Sequence, residues 1–319
     1  MIQIMPDYRP QILLLGNGLN RLYGGNSWTD LMKKIAVRDD LPDQLCCPYP
    51  LQAVLVTNDH VKQAMKNHRK DFFGEVSEEL REQLQTLLEM DFDDILTTNY
   101  SYEIEASAIS KGTVSDYFLK KTCKNVVDGE KAEPKYLLHT CQSIPFNGRP
   151  NRIWHIHGEA RKPDSMILGH YYYATLLHKM VDFVQSRGNV YQQRQKENMP
   201  QTIRSWIDSF LLGDVYILGL GVDFSEFDLW WLLNRKKREK AEHGCVYFYS
   251  PGGDGFNEKE ELLKQLGVKV IHCGVPVPQG SDAEIDMAYR VFYQRAVQDI
   301  QEKVKKAKNI EEKALCLNL

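Results

Sequence analysis

Residues 214–250 read DVYILGLGVDFSEFDLWWLLNRKKREKAEHGCVYFYS, and this stretch decides the fold. Its two ends, DVYILGLG and CVYFYS, are short apolar runs with the β-branched and aromatic residues that are typical of buried strands. The segment between them, SEFDLWWLLNRKKREK, is a predicted helix. A strand, a helix and a strand in succession predict a parallel pair of strands that a right-handed crossover connects.

The same alternation continues on both sides of this stretch, which predicts a larger sheet. Towards the C-terminus we expect a helix over NEKEELLKQL, a strand over VKVIHCG and a long helix from about Ala283 to Lys308. Towards the N-terminus QILLLGNG is a predicted strand, and the amphipathic helix EVSEELREQLQTLLEM leads into the strand DDILTTNY. The chain is therefore predicted to be an α/β protein with a doubly wound, mostly parallel sheet.

Two segments interrupt this regular pattern. Residues 106–152 have weak periodicity with scattered Gly, Pro and Lys, and we expect an insertion of irregular structure and short helices before RIWHIHG resumes strand character. Residues 171–212 are predicted to be helices, broken near Arg187-Gly188 and Pro200, that could cap a site. We expect one domain over residues 1–319 with both segments inserted in it.

The composition limits the class of protein. With 43% hydrophobic and 26% charged residues and a formal net charge of −3, the chain gives no electrostatic reason to expect nucleic acid or an anionic membrane as partner. No long apolar run and no basic leader are present, which predicts neither a membrane span nor an export signal. The seven cysteines lack CxxC spacing, so they indicate neither a disulfide framework nor a four-cysteine zinc site. These features favour the cytoplasm.

Glycine-rich loops follow two of the predicted strands. Gly16-Asn17-Gly18 precedes a helix, so its backbone N–H groups can approach a phosphate. Leu22 stands where the third glycine of a GxGxxG motif would be, which disfavours a hydride-transferring dehydrogenase. Gly219-Leu220-Gly221 repeats the arrangement before Asp223 and Ser225, although either of these two residues could simply cap the next helix.

Two further polar residues, Asn99 and His157, follow predicted strands. Ligands bind at the carboxyl ends of parallel strands, but Asn99 could also be a turn residue that caps a helix. In strand geometry His155 and His157 would share a face, which suggests a metal, yet no further ligands stand at suitable spacing. Either histidine could instead be a hydrogen-bonded core residue. Gly158 would let a substrate come close to His157, and together the four loops predict one functional rim.

The segments GNGLNRLYGGNSW, TTNYSYEIE, WHIHGE and LGLGVDFSEFDLWW, in this order, resemble the sirtuin-like NAD hydrolase domains of bacterial anti-phage defence effectors. The resemblance covers nearly the whole chain and implies a Rossmann-type sheet with Asn99 and His157 as essential residues. The chain has neither the paired CxxC motifs nor the GIPDFR stretch of sirtuin deacylases, so no zinc module is expected. The residues implied in or beside the NAD-binding loops are Gly16, Asn17, Gly18, Asn20, Thr98, Tyr100, Gly219, Gly221, Asp223 and Ser225.

The resemblance implies that the chain hydrolyses NAD to nicotinamide and ADP-ribose without a metal, as the toxic effector of an abortive anti-phage response. His157 would act as the general base, and Asn99 would orient water and ribose. Relatives often have an aspartate where this chain has Ser101, although Glu105 keeps the acidic position that ends the segment, so contacts to the nicotinamide amide stay open. The alternatives are an NAD-dependent lysine deacylase and a non-catalytic module that binds NAD or ADP-ribose.

A destructive NAD hydrolase must stay inactive until it is needed. The alternating pattern of strands and helices runs nearly to the end of the chain and leaves no separate sensor domain in evidence. We therefore expect control by a separate sensor or regulatory protein, by homo-oligomerisation, or by both.

Overall fold

The computed structural model describes residues 2–4, 9–24, 76–109, 124–127, 130–131, 135–188, 190–191, 201–239, 244–252 and 257–317, together with positions 30, 31, 34, 51, 53, 62–64 and 67. The strands in these ranges are β1 (Ile2–Ile4), β2 (Gln11–Leu15), β3 (Asp94–Thr97), β4 (Lys124–Val126), β5 (Thr140–Phe146), β6 (Arg149–His155), β7 (Gln201–Ile203), β8 (Asp214–Leu218), β9 (Val246–Ser250) and β10 (Val268–His272). The helices are α1 (Gly18–Leu22), α2 (Glu78–Leu88), α3 (Glu103–Ala108), α4 (His170–Ser186), α5 (Trp206–Leu212), α6 (Phe227–Arg238), α7 (Glu258–Gln265) and α8 (Asp282–Leu317).

The main sheet has eight strands in the order β10-β9-β8-β2-β3-β6-β5-β4. The strands from β10 to β6 are parallel, whereas β5 and β4 are antiparallel to their neighbours. From β2 the chain builds the sheet outwards through β3 and β6, and it later starts again at β8 and continues to β10. The predicted mostly parallel, doubly wound sheet is confirmed, and its topological switch point lies between β2 and β8.

Helices cover both faces of the sheet. Along β2, Ile12 and Leu14 pack into one core, and Leu13 and Leu15 pack into the other. Helices α4 to α7 cover the first core, and α1, α2, α3 and α8 cover the second. The central strands are apolar on both faces because each face is buried under helices.

The helix α2 illustrates how local sequence sets an element's limits. Ser77 caps its first turn, since the Ser77 hydroxyl oxygen accepts a hydrogen bond from the Leu80 N–H at 3.4 Å. Glu78 and Glu79 in the first turn interact favourably with the helix dipole. One side of the helix is buried against the sheet, through Leu80, Leu84, Leu87 and Leu88. These are the apolar positions that predicted the helix.

The expectation of irregular structure and short helices over residues 106–152 is wrong for much of that segment. Strands β5 and β6 form an antiparallel hairpin that continues the sheet, and β4 pairs with β5. The hairpin turn is Asn147-Gly148, whose φ angles of 48° and 80° are both positive. Asn-Gly is the dipeptide that favours this two-residue turn, so the sequence carried a signal for the hairpin. Residues 110–123 of the segment lie outside the described residues.

The segment 171–212, expected to be helical, contains α4 and α5 and also the short strand β7, which pairs with β1. Helix α4 ends at Ser186, as predicted, whereas the break expected at Pro200 lies outside the described residues. Most of α4 covers the sheet rather than a site, since Leu176 and Met180 are buried in the first core. Of the helices described, none is long and apolar enough to cross a membrane.

Candidate functional site

The two glycine loops contact each other at the switch point. The Gly16 N–H donates to the Leu218 carbonyl at 2.9 Å, and the Gly18 N–H donates to the Gly219 carbonyl at 2.7 Å. A Cβ atom on Gly16 would lie 2.5 Å from the Gly219 oxygen, so only glycine fits there. Two of the N–H groups expected to face a phosphate are therefore used to hold the loops together.

A cavity of about 750 Å³ lies outside the carboxyl ends of the parallel strands, beside these loops. Its walls come from the segments that follow β2, β3, β6, β8 and β9, and from the first turns of α8. The predicted site residues that line it are Asn17, Gly18, Thr98, Asn99, Tyr100, His157, Gly219, Gly221, Asp223 and Ser225. Gly16 and Asn20 do not line the cavity: Gly16 supports the loop contact, and Asn20 is buried in α1. Neither amide atom of Asn20 has a hydrogen-bond partner among the described residues.

Asn99 is held at its backbone and its side chain. The Thr97 hydroxyl donates to the Leu15 carbonyl at 2.9 Å and accepts from the Asn99 N–H at 3.1 Å. The Asn99 Nδ2 donates to the Gly16 carbonyl at 3.4 Å, and the Asn99 carbonyl lies 2.7 Å from the Nδ1 of His155. These contacts connect Asn99 to β2, β3 and β6.

None of the three site residues that could have been helix N-caps, Asn99, Asp223 and Ser225, caps the helix that follows it. The next helix, α3, has Tyr102 at its N-cap, so Asn99 does not cap it. The N-cap of α6 is Glu226 rather than Asp223 or Ser225. Those two residues form a turn instead, in which the Asp223 Oδ1 accepts from the N–H and the hydroxyl of Ser225 at 2.9 and 2.6 Å.

His157 points away from the side on which His155 lies. Strand β6 ends at His155, so the strand alternation that predicted a shared face does not extend to His157. The Nε2 of His157 lies 2.7 Å from Oδ2 of Asp228 in α6, and its ring meets the edge of Tyr173 in α4 with 5.4 Å between ring centroids. The Nδ1 of His157 makes no hydrogen bond to any residue that the structure describes.

Three ionisable groups interact at this end of the cavity. Burial lowers the pKa of His157, but the charge and hydrogen bond of Asp228, with the charge of Glu226, outweigh it and raise the pKa above its ordinary value. Burial, opposed by His157 and assisted by Asp228, raises the pKa of Glu226 to about 7. Within the described part of the chain, Oδ1 of the fully buried Asp228 has no hydrogen-bond partner.

Sequence reasoning missed Asp228 and Glu226. Both lie where acidic residues commonly start a helix, which made them unremarkable in the pattern. The available signal was the position of Asp228 inside the apolar stretch FDLWWLL, where a charge must be buried with a partner. The partner is 71 positions away in sequence, so no local pattern pairs the two residues.

His155 is the core histidine that one alternative allowed. Its Nε2 lies 2.8 Å from Glu105, and its ring packs against Tyr102 with 5.2 Å between centroids. Glu159 accepts hydrogen bonds from the Tyr102 hydroxyl and the Gln142 amide, each at 2.9 Å. Burial lowers the pKa of His155, but Glu105 and Glu159 raise it to about 9 overall. His155 is thus a buried cation that supports the Asn99 carbonyl.

Ser101 lines the cavity and donates from its hydroxyl to Glu103 at 2.7 Å. Over the ranges that the structure describes, no group of three or more His, Cys, Asp or Glu side chains is arranged to hold a metal ion.

A scan against protein-family models gave no match to the chain, and comparison with curated proteins gave no significant match either. These comparisons therefore assign no function to the chain.

Proposed function

We propose that this chain hydrolyses NAD at the bond between nicotinamide and ribose, giving nicotinamide and ADP-ribose. The observation that carries the proposal is that Asn99 and His157 line one cavity together with both glycine loops of the switch point. A cavity of about 750 Å³ is of the size that binds cofactors. The resemblance of its four loop segments to sirtuin-like NAD hydrolase domains further supports this reaction.

The order of strands supports an extended dinucleotide as the ligand. The loops after β3 and β6 supply Asn99 and His157, the loops after β2 and β8 supply the glycines, and the segment after β9 supplies Asn257 and Glu260 at the other end. In this proposal the reacting ribose lies beside Asn99 and His157. The pyrophosphate lies near the glycine loops, as it does at other switch points.

The chemistry needs few charged groups because nicotinamide is already a cationic leaving group in NAD. When the bond breaks, its electron pair stays on the nicotinamide nitrogen and an oxocarbenium-like ribose forms. The amide of Asn99 orients the ribose or the attacking water. Water then adds to the anomeric carbon and gives up a proton.

His157 is the proposed acceptor of that proton. An Nε2–H donated to Asp228 leaves the Nδ1 lone pair free to accept a proton from water or from a ribose hydroxyl. The carboxylate of Asp228 fixes this tautomer and stabilises the imidazolium that forms, as the aspartate of a Ser-His-Asp triad does. Asp228 is therefore a positioning residue in the proposed mechanism.

We further propose that the hydrolase acts in the cytoplasm as a toxic effector in anti-phage defence. Control would then come from a separate sensor protein, from homo-oligomerisation, or from both. This part of the proposal rests on the resemblance and on the need to restrain an enzyme that consumes a cofactor.

The test is nicotinamide release from NAD by the purified chain, measured by chromatography without any peptide. We expect the His157→Ala variant to release nicotinamide roughly 100- to 10,000-fold more slowly. His178→Ala, which alters an exposed histidine of α4, is the matched control and should retain activity. Release that requires an acyl-lysine peptide would favour the deacylase alternative, and NAD binding without release would favour the binding module.

A further inference from the structure

Glu226 lies at the start of α6 and lines the cavity. Its Oε2 accepts a hydrogen bond from the Asp223 N–H at 2.7 Å, which fixes the carboxylate. Its other oxygen, Oε1, has no hydrogen-bond partner in the ranges that the structure describes. One carboxylate oxygen is therefore held by the backbone, while the other is available to a ligand.

The groups that face Glu226 come from the segments after β3, β6 and β8 and from helices α4 and α6. They are Tyr100, His157, Asp223, Tyr173 and Asp228. His157 is the group among them that becomes cationic when it accepts a proton, and its Nε2 already lies 2.7 Å from Asp228. His157 and Asp228 together carry no net positive charge in either protonation state of His157, so an ionised Glu226 makes this end of the cavity negative.

We propose that Glu226 selects the oxidised dinucleotide by its charge, because its carboxylate attracts the pyridinium ring and the positive ribose that forms during cleavage. The inference rests on the proposed function and extends it to the charge state of the substrate. The carboxylate acts in a partly buried site, where attraction between opposite charges is several times stronger than in water.

During the proposed reaction the positive charge of the substrate moves only from the nicotinamide ring to the adjacent ribose, so one fixed carboxylate can attract it throughout. Cleavage of the bond between the anomeric carbon and the ring nitrogen leaves the electron pair on nicotinamide, which becomes neutral, and moves the positive charge to the ribose. Preorganised charge that faces a developing cation stabilises the transition state. The reduced dinucleotide has a neutral ring, so Glu226 gives it no comparable attraction.

The test compares the binding of carba-NAD, which has a cationic ring but cannot be cleaved at this bond, with the binding of NADH. Calorimetry on the full chain at pH 8 should show about tenfold preference for carba-NAD. The Glu226→Gln variant should lose this preference while its affinity for NADH stays the same. Glu302→Gln removes one exposed carboxylate from α8 and is the matched control, which should keep the preference.

A pH series on the unmodified chain gives a second measurement that does not depend on a variant. Because burial raises the pKa of Glu226 to about 7, its carboxylate is mostly ionised at pH 8 and mostly protonated at pH 6. The preference for carba-NAD should therefore fall as the pH is lowered from 8 to 6. In Glu226→Gln this fall should be much smaller, because His157 is then the remaining group that titrates beside the ring.

The outcomes separate this inference from the proposed function. Equal preference in the native chain and in Glu226→Gln, at both pH values, would overturn the role of Glu226 even if nicotinamide release is observed. Clear preference for carba-NAD that depends on Glu226, without release of nicotinamide from NAD, would favour the binding module over the hydrolase and support charge selection. Failure of both dinucleotides to bind would overturn both.

Discussion

His155 and His157 lie two positions apart, and each has its Nε2 within 2.8 Å of a buried carboxylate, of Glu105 and of Asp228. For both histidines these carboxylates raise the pKa against the effect of burial. The surroundings differ in one respect: His155 uses both ring nitrogens inside the core, whereas His157 uses one and lines a cavity. His157 is thus available for chemistry because it lines the cavity and has one ring nitrogen without a hydrogen bond to any described residue, and not because its pKa is raised.

The largest expected effect comes from removing the carboxylate under His157. In Asp228→Asn the amide can face His157 with its N–H group, which favours the tautomer that places a proton on Nδ1. We expect the kcat for nicotinamide release to fall roughly 100- to 10,000-fold. Steady-state kinetics measure this effect, and Asp282→Asn at the exposed start of α8 is the control.

The pH profile of Asp228→Asn separates positioning from a structural effect. Asp228 raises the pKa of His157, and burial alone would lower it. If His157 is the base, activity increases as the pH rises through its pKa, so the rising limb of kcat/KM should move to lower pH in the variant. An unchanged limb would contradict this role for Asp228.

A smaller effect, on stability rather than on chemistry, is expected at the other histidine. His155→Gln leaves the buried Glu105 without its cation, and breaking a buried pair costs about 3–5 kcal/mol of the free energy of unfolding. Urea denaturation should show this loss, whereas His178→Gln on the exposed side of α4 should leave stability unchanged. Equal stabilities of His155→Gln and the native chain would remove the contrast between the two histidines.

The same pair predicts a pH dependence of folding. The pKa of His155 is raised in the folded protein from its ordinary value of 6.5 to about 9. The stability that it contributes is therefore fully present below pH 6.5 and is lost as the pH rises through 9. The difference between the native chain and His155→Gln should shrink over this range.

The smallest expected effect concerns the two tyrosines that pack edge-on against the histidines, Tyr102 and Tyr173. The Tyr102 hydroxyl donates to the fully buried Glu159 and accepts from the Arg161 N–H at 3.1 Å, so Tyr102→Phe removes both hydrogen bonds. We expect a loss of about 1–3 kcal/mol in the free energy of unfolding.

Tyr173→Phe is the matched variant for this comparison. The hydroxyl of Tyr173 makes no hydrogen bond within the described ranges, so its removal should change stability by less than about 0.5 kcal/mol. Thermal denaturation of the two variants side by side measures the difference. A larger loss in Tyr173→Phe than in Tyr102→Phe would reverse the expected contrast.

The central sheet and the cavity loops that follow β2, β3, β6 and β8 could be predicted because their signals are local. A buried apolar run followed by glycine or asparagine marks a strand end, and strand ends in a parallel sheet meet at one edge. The carboxylate partners could not be predicted in this way, since Glu105 lies 50 positions from His155 and Asp228 lies 71 from His157. Strand β5, TCQSIPF, was missed because its mixed polarity and its proline conceal the strand pattern.

The hydrogen bonds between the two glycine loops join backbone atoms of residues 16 to 18 and 218 to 219. Because no side chain donates or accepts in these hydrogen bonds, the end of the Leu220 side chain, which lines the cavity next to them, can change without loss of these bonds. The two halves of the sheet therefore stay joined while the surface above them changes. Because different atoms hold the loops together and line the cavity, the ligand preference can change during evolution with little loss in the free energy of unfolding.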